Sequence, residues 1–137
     1  MSIQYIHLNI SINWIRLKNN NNVPYRWGDR KDSKIDLNWE KSNVIYRWMK
    51  NSTGEIAVIG ESERRLMERV NNYISASPNS RAGTTNKKVY DEQQRLSQNK
   101  DYLYLEFTDS VFGYNLNDKR ERKLAENLLI GYSKPYL

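Results

Sequence analysis

The sequence predicts an α+β fold in which a small, mostly antiparallel sheet is flanked by helices and preceded by an N-terminal strand and arm. Three observations support this prediction. Residues 5–15 alternate between apolar and polar side chains, residues 43–60 have the pattern of a β-hairpin, and the apolar spacing becomes helical after Ser62. A chain of 137 residues with 38% hydrophobic residues suits one modest core.

The N-terminal segment is predicted to form a half-buried strand, an asparagine-rich loop and an irregular arm. Residues 5–15 place His7 on the polar face of the strand, where we expect it to be solvated. Residues 26–41 are basic and aromatic but have no clear period. We expect Trp27 and Trp39 to anchor this arm to the core; contact between the arm and a nucleic acid is the alternative.

The hairpin is predicted from two apolar runs, residues 44–46 and 56–59, with a turn between them. Gly54 suits a turn position that needs a positive φ. The second run stops at Gly60, and a charged segment follows. The pattern predicts buried strands, and on its own it leaves open whether the hairpin also carries chemistry.

Two helices are predicted to follow the hairpin. The first begins after Ser62, a plausible N-cap, and turns these side chains inward: Leu66, Met67, Val70, Tyr73 and Ile74. Residues 75–84 read as a loop, and residues 85–98 read as a polar helix with Val89 and Leu96 inward.

A last strand and a last helix complete the predicted fold. Residues 102–107 are predicted to form a strand that is buried on both faces. Residues 118–130 are predicted to form a helix with Leu124, Leu128 and Leu129 inward, ended by a C-cap at Gly131.

Composition limits the chemistry that the chain can perform. It has no cysteine and a single histidine, so disulfides, thiolate zinc sites and cysteine or histidine-dependent nucleophiles are not expected. There is no glycine-rich phosphate loop, no signal peptide and no membrane-length apolar stretch, and we expect a cytoplasmic protein that does not engage a membrane. The net charge of +6 favours an anionic partner, most often nucleic acid.

Charged and phenolic residues are therefore the candidates for a site. Arg65, Arg69 and Tyr73 are spaced i, i+4 and i+8, and this spacing lines them along one edge of the first helix. Glu126 follows Arg122 by four residues, and helix geometry alone favours a surface ion pair between them.

Four motifs resemble the GIY-YIG nuclease superfamily. Residues 44–46 (VIY) and 58–60 (VIG) resemble its two strand motifs, and residues 69–73 (RVNNY) resemble its arginine helix. Glu126 precedes Pro135 of the Lys-Pro pair by nine residues, as in that family. The chain differs at Val44, where the family has glycine, and at Val58, where it has tyrosine. The resemblance covers residues 43–137 as one nuclease domain, and leaves residues 1–42 as an extension.

The resemblance implies a three-stranded core sheet and metal-dependent hydrolysis of DNA phosphodiester bonds. Glu126 would hold Mg²⁺ or Mn²⁺, and Arg69, with Arg65 in reserve, would contact the scissile phosphate. Tyr73 would hydrogen-bond the phosphate. Tyr46 would accept the proton of the attacking water or orient that water, and nearby cations would have to lower its pKa from about 10.

DNA is the implied partner, and basic and amide side chains are the expected contacts. The candidates for binding it are Arg64, Arg81, Asn86, Lys87 and Lys88. Residues 83–88 also resemble relatives of restriction endonucleases, and recognition of a palindrome would require a homodimer. Two alternatives stay open: a GIY-YIG-type nucleic-acid-binding module without catalysis, and an unrelated basic interaction domain.

Overall fold

The computed structural model describes residues 11–18, 25–27, 37–75 and 84–137, and it has an α+β fold. Its elements are β1 (Ile15–Arg16), a 3₁₀ helix (Leu37–Glu40), β2 (Val44–Lys50), β3 (Ile56–Ser62), α1 (Leu66–Ile74), α2 (Thr85–Ser97), β4 (Leu103–Thr108) and α3 (Lys119–Ser133). The predicted order of strands and helices is confirmed. None of the helices in these ranges is long and apolar enough to cross a membrane.

The sheet is antiparallel and has four strands in the described ranges, in the order β1-β4-β2-β3. The prediction of a three-stranded sheet was wrong in that β1 joins it, pairing Ile15 with Phe107 of β4. The predicted first strand extended over residues 5–15, but in the described part it begins only at Ile15. Residues 5–10, His7 among them, lie outside the described residues.

The predicted hairpin is confirmed and forms the centre of the sheet. Val44 pairs with Ser62, and Trp48 with Val58, before the register shifts at Met49. Gly54 has a φ of +72° in the turn, and its N–H donates to the Lys50 carbonyl oxygen at 2.8 Å. The short turn therefore fixes which residues of β2 and β3 lie opposite each other.

Two hydrophobic clusters cover the two faces of the sheet. The larger contains Tyr46, Trp48 and residues of α1 and α2, and the smaller contains Ile45 and Ile59 beneath α3. Trp39 is buried in the larger cluster and Trp27 packs against it, so the prediction that they anchor the arm is confirmed for the described residues. Residues before and after position 42 thus share one core.

The first two helices form as predicted, except at the N-terminus of α1. Ser62 does not cap α1: it is the last residue of β3, and its hydroxyl donates to the Arg64 carbonyl oxygen at 2.8 Å. Val89 and Leu96 of α2 are buried as predicted. Thr84 caps α2 by accepting the Lys87 N–H at 3.3 Å.

The last strand and helix required two further corrections. β4 buries Leu103, Leu105 and Phe107 on one face, whereas Tyr104 and Glu106 on its other face are only half-buried. α3 turns these side chains inward: Arg122, Ala125 and Leu129. Leu124 is 49% exposed, and Gly131 lies inside the helix, which ends at Lys134 in a left-handed conformation.

Candidate active site

Tyr46 is positioned by the register of the hairpin. It lies directly opposite Gly60, and its side chain is 1% exposed among α1 and the sheet. A Cβ atom at position 60 would overlap the phenol oxygen of Tyr46. Glycine at this position is therefore what allows the phenol to lie across β3 and reach α1.

Arg69 is the centre of a hydrogen-bonded cluster. Its Nε donates to the Tyr46 phenol oxygen at 3.0 Å, and one terminal nitrogen donates to the Tyr73 phenol oxygen at 3.3 Å. The other terminal nitrogen donates to Asn86 Oδ1 of α2 at 3.0 Å. The two phenol oxygens are themselves 2.7 Å apart. Since every one of these acceptors is uncharged at neutral pH, none of them neutralises the guanidinium.

Both phenols are weaker acids here than an ordinary tyrosine, because their pKa values are raised. Burial, the proximity of Tyr73 and its hydrogen bond raise the pKa of Tyr46 well above 10.0, although Arg69 acts in the opposite direction. Burial also raises the pKa of Tyr73. Arg69 acts to lower the pKa of Tyr46, as expected of a nearby cation, but desolvation outweighs it and the net shift is upward.

Glu126 of α3 interacts with this cluster through its charge. Burial raises the pKa of this half-buried carboxyl, and the Glu61 carboxylate adds to the effect; Lys123, the Glu61 backbone N–H and Arg69 oppose it. The Glu126 charge also raises the pKa of Tyr73. α3 therefore sets a carboxylate within electrostatic range of the Arg69 cluster, as the sequence implied.

Arg122 does not form the surface ion pair that helix geometry favoured for Glu126. Its side chain is 1% exposed and donates to Glu61 Oε2 at 2.5 Å, to the Leu116 carbonyl oxygen at 2.9 Å and to Asn43 Oδ1 at 3.2 Å. Lys123 adds a second ion pair to Glu61 at 2.9 Å. Burial alone would raise the pKa of Glu61, but these two cations outweigh it and hold the pKa below its ordinary value.

This Glu61 cluster was not among the features predicted from the sequence. A signal for it existed, because Arg122, Ala125 and Leu129 follow i, i+3 and i+7 spacing and so share the buried face of α3. An arginine on a buried face requires an internal acceptor, and β3 supplies one directly after Gly60.

Arg65 is not brought to the cluster. It forms ion pairs with Glu40 and Glu68, both at 2.8 Å, on the exposed side of α1. Of the two arginines that the sequence offered for phosphate contact, the geometry therefore supports Arg69.

The predicted nucleic-acid-binding residues have different surroundings. Arg64 lines a cleft of about 330 Å³ that also exposes Arg69 and Asn72, with Glu61, Ser62 and Glu63 completing its wall. Asn86 binds Arg69 itself. Lys87 pairs with Asp91 at 2.5 Å, Lys88 is exposed, and Arg81 lies outside the described residues.

A divalent metal could be held here by Glu126 with water. In the described ranges no three or more His, Cys, Asp or Glu side chains group as metal ligands. Mg²⁺ commonly takes one or two protein carboxylates and keeps several waters, so a single half-buried glutamate fits it. The raised pKa of Glu126 also fits, because a cation beside the buried carboxylate would offset its loss of hydration.

Comparison of the chain with protein-family models, with curated proteins and with solved structures gave no match. The candidate site is therefore argued from the chain's own residues and their geometry.

Proposed function

We propose that the protein is a metal-dependent DNA endonuclease of the GIY-YIG type. The observation that carries the proposal is Arg69, whose hydrogen bonds go to Tyr46, Tyr73 and Asn86 while Glu126 lies within electrostatic range. These residues come from β2, α1, α2 and α3, so the whole domain contributes to one cluster.

Arg69 suits contact with a phosphodiester. Its guanidinium is fixed in orientation by three uncharged acceptors and opens onto the cleft that Arg64 also lines. A planar guanidinium can bind two phosphate oxygens, and a preorganised cation lowers the energy of the charged transition state. Its charge is not consumed by a hydrogen-bonded carboxylate, so it is free to bind an anion.

A metal held by Glu126 would supply positive charge for the phosphate and a more acidic water. Lys123 lies beside Glu61 and Glu126 and keeps one cation at this edge of the cleft. Arg69 and Arg64 add cations on the α1 side, so a bound phosphate would meet positive charge from two helices and the loop that joins β3 to α1.

Tyr46 has two possible roles, which differ in their pH dependence. As a proton acceptor it must first lose its own proton, and its raised pKa then makes the rate rise with pH through the alkaline range. As a residue that holds Arg69, it works as a neutral phenol, and no such rise is expected. In both roles Tyr46→Phe lowers the rate, so the pH profile of the wild-type protein separates them.

A nucleic-acid-binding module without hydrolysis is the second candidate. It is favoured by the burial of the Tyr46 phenol, which is 1% exposed, and by Val58 at the position of the second motif tyrosine. The Arg69 cluster would still bind a phosphate in such a module, but no group would activate water.

Nicking of supercoiled plasmid DNA with Mg²⁺ or Mn²⁺ tests the proposal. Wild type should nick the plasmid; Arg69→Met should lower the rate by about 100-fold or more, which is typical for losing a transition-state charge contact. Glu126→Gln should lose metal-dependent nicking and still bind DNA. Arg65→Ala is the matched control on the same helix, and it should nick within about threefold of wild type because its partners are exposed.

Two outcomes would contradict the proposal in different ways. If neither metal gives nicking while DNA affinity falls steeply with salt, the protein binds DNA without cleaving it, because counterion release is intact. If DNA affinity is the same at low and high salt, both DNA-based proposals are wrong.

A further inference from the structure

Phe112 presents an almost fully exposed aromatic ring on a turn that a β-bridge closes. Its side chain is 98% exposed, and Gly113 follows it with a φ of +87°. The flanking residues Val111 and Tyr114 form an antiparallel bridge, with the Tyr114 N–H donating to the Val111 carbonyl oxygen at 3.0 Å. Val111 is buried beneath α3. The backbone of this turn therefore directs the ring outward from the core.

The fold does not require an aromatic ring at this position. A side chain that is 98% exposed contributes almost no buried apolar surface, and turns favour small polar residues. A single exposed apolar residue needs no functional explanation by itself. The reason to expect a function for Phe112 is its location in the fold.

The turn belongs to the end of the sheet where the cleft lies. Thr108, the last residue of β4, pairs with Ile45, the neighbour of Tyr46. Arg122 connects the loop that follows to the cleft wall, since it donates to the Leu116 carbonyl oxygen at 2.9 Å and lies 4.0 Å from the Glu63 carboxylate.

A hydrogen bond between two asparagine side chains also ties this loop to the start of β2. The Asn43 side chain, just before β2, donates to Asn117 Oδ1 at 3.3 Å. The loop of residues 109–118 is thus tied both to the start of β2 and to the wall of the cleft.

The cations that follow the loop in the chain suit a nucleic acid. Lys119 and Arg120 begin α3 with exposed side chains, and neither forms an ion pair in the described part of the chain. The two acidic residues of the loop are engaged, because Asp109 lies 3.6 Å from Lys41 and Asp118 accepts the Glu121 N–H at 3.0 Å. Proteins that bind nucleotide strands combine cations for the phosphates with aromatic rings for the bases, and this loop and the start of α3 supply both kinds of side chain.

We propose that Phe112 stacks on a nucleobase of the DNA that occupies the cleft. This inference rests on the proposed function and adds to it a residue that contacts the DNA away from the scissile phosphate. Stacking tolerates any base, because every base has a π face. Apolar side chains that enter between base pairs also unstack them and bend the duplex.

DNA binding without catalysis tests the inference, with EDTA present to prevent cleavage. Phe112→Ala should weaken binding of a labelled duplex by about tenfold, within the range for loss of one stacked base, and Phe112→Trp should retain it. Tyr132→Ala is the matched control, because Tyr132 is also an exposed aromatic residue but lies near the other end of α3. It should bind as wild type does.

A second readout follows the base directly. A duplex that carries 2-aminopurine should change in fluorescence when wild type binds, because the base exchanges a neighbouring base for the Phe112 ring, and should not change when Phe112→Ala binds. If Phe112→Ala matches wild type in both affinity and fluorescence while wild type binds and nicks DNA, the stacking inference alone is wrong. If wild type does not bind DNA, the stacking inference and the proposed function are both wrong.

Discussion

Arg69 and Arg122 both connect a helix to the end of the β2–β3 hairpin, but they bind opposite kinds of partner. Arg69 of α1 donates to two phenols and an amide. Arg122 of α3 is 1% exposed and donates to the Glu61 carboxylate, which Lys123 also binds. One cation is surrounded by neutral acceptors, and the other is neutralised.

The difference indicates a structural role for Arg122 and makes Arg69 the candidate for binding an anion. A buried cation paired with a carboxylate has little charge left for a ligand, so Arg122 serves to fix α3 against β3. A cation oriented by neutral groups keeps its charge, and can bind an anion without first breaking an ion pair. The Arg122 pair thus fixes the helix that carries Glu126, while Arg69 has no hydrogen-bonded carboxylate among its partners in the described residues.

The largest expected effect on folding comes from removing the neutralised cation. Arg122→Met should lower the free energy of unfolding by about 3 kcal/mol, since it leaves Glu61 buried with only Lys123 as its partner. Chemical denaturation measures the change. Arg120→Met, on the exposed side of the same helix, should change it by less than about 0.5 kcal/mol. Equal effects of the two substitutions would show that Arg122 is not a structural cation.

A smaller effect is expected where the hairpin supports Arg69. Gly60→Ala should destabilise the protein by about 1–3 kcal/mol, because the new methyl group overlaps the Tyr46 phenol and must displace it. The nicking rate should fall as well, since Tyr46 orients Arg69.

Gly131→Ala is the control for that substitution. Gly131 lies in α3 with open space around it, so alanine should stabilise the helix by about 0.5–1 kcal/mol. If Gly60→Ala is as well tolerated as Gly131→Ala, the close approach of Tyr46 to β3 is not part of the fold.

The smallest expected effect concerns the carboxylate that both clusters influence. Burial raises the pKa of Glu126 in the folded protein above the ordinary value of 4.5, so its stabilising effect is present at low pH and is lost as pH rises through the folded-state pKa. Glutamine at position 126 cannot ionise, so Glu126→Gln does not lose this stability as the pH rises. The variant should melt at a higher temperature than wild type at pH 7, and the difference should shrink toward pH 4. A variant less stable than wild type at pH 7 would contradict the assignment.

Much of the fold was predictable because local patterns decided it. The two apolar runs on either side of Gly54 predicted the hairpin, and i, i+4 spacing predicted that Arg69 and Tyr73 lie together. Positions set by distant partners were not predictable. Leu124 was expected inward by hydrophobicity, but the Glu61 carboxylate draws Arg122 inward and turns Leu124 toward solvent.

The site was predicted in its residues but not in its electrostatics. Tyr46, Arg69, Tyr73 and Glu126 were all identified from motifs; the structure joins the first three by hydrogen bonds, and Glu126 interacts with Arg69 and Tyr73 through its charge. The direction of the Tyr46 pKa shift was missed, because it depends on burial beneath α1, which no local pattern of β2 specifies. The use of Asn86 to hold Arg69 was missed for the same reason, since α2 has to pack against α1 before the two side chains meet.

Arginine side-chain NMR tests the division between the two cations most directly. The Nε–H signals of nitrogen-15-labelled protein can be assigned with Arg69→Met and Arg122→Met, and then followed during titration with a short DNA duplex in EDTA. The Arg69 signal should shift as DNA is added, and the Arg122 signal should not, because only Arg69 keeps a charge available for phosphate. A shift of Arg122 with no shift of Arg69 would contradict the account.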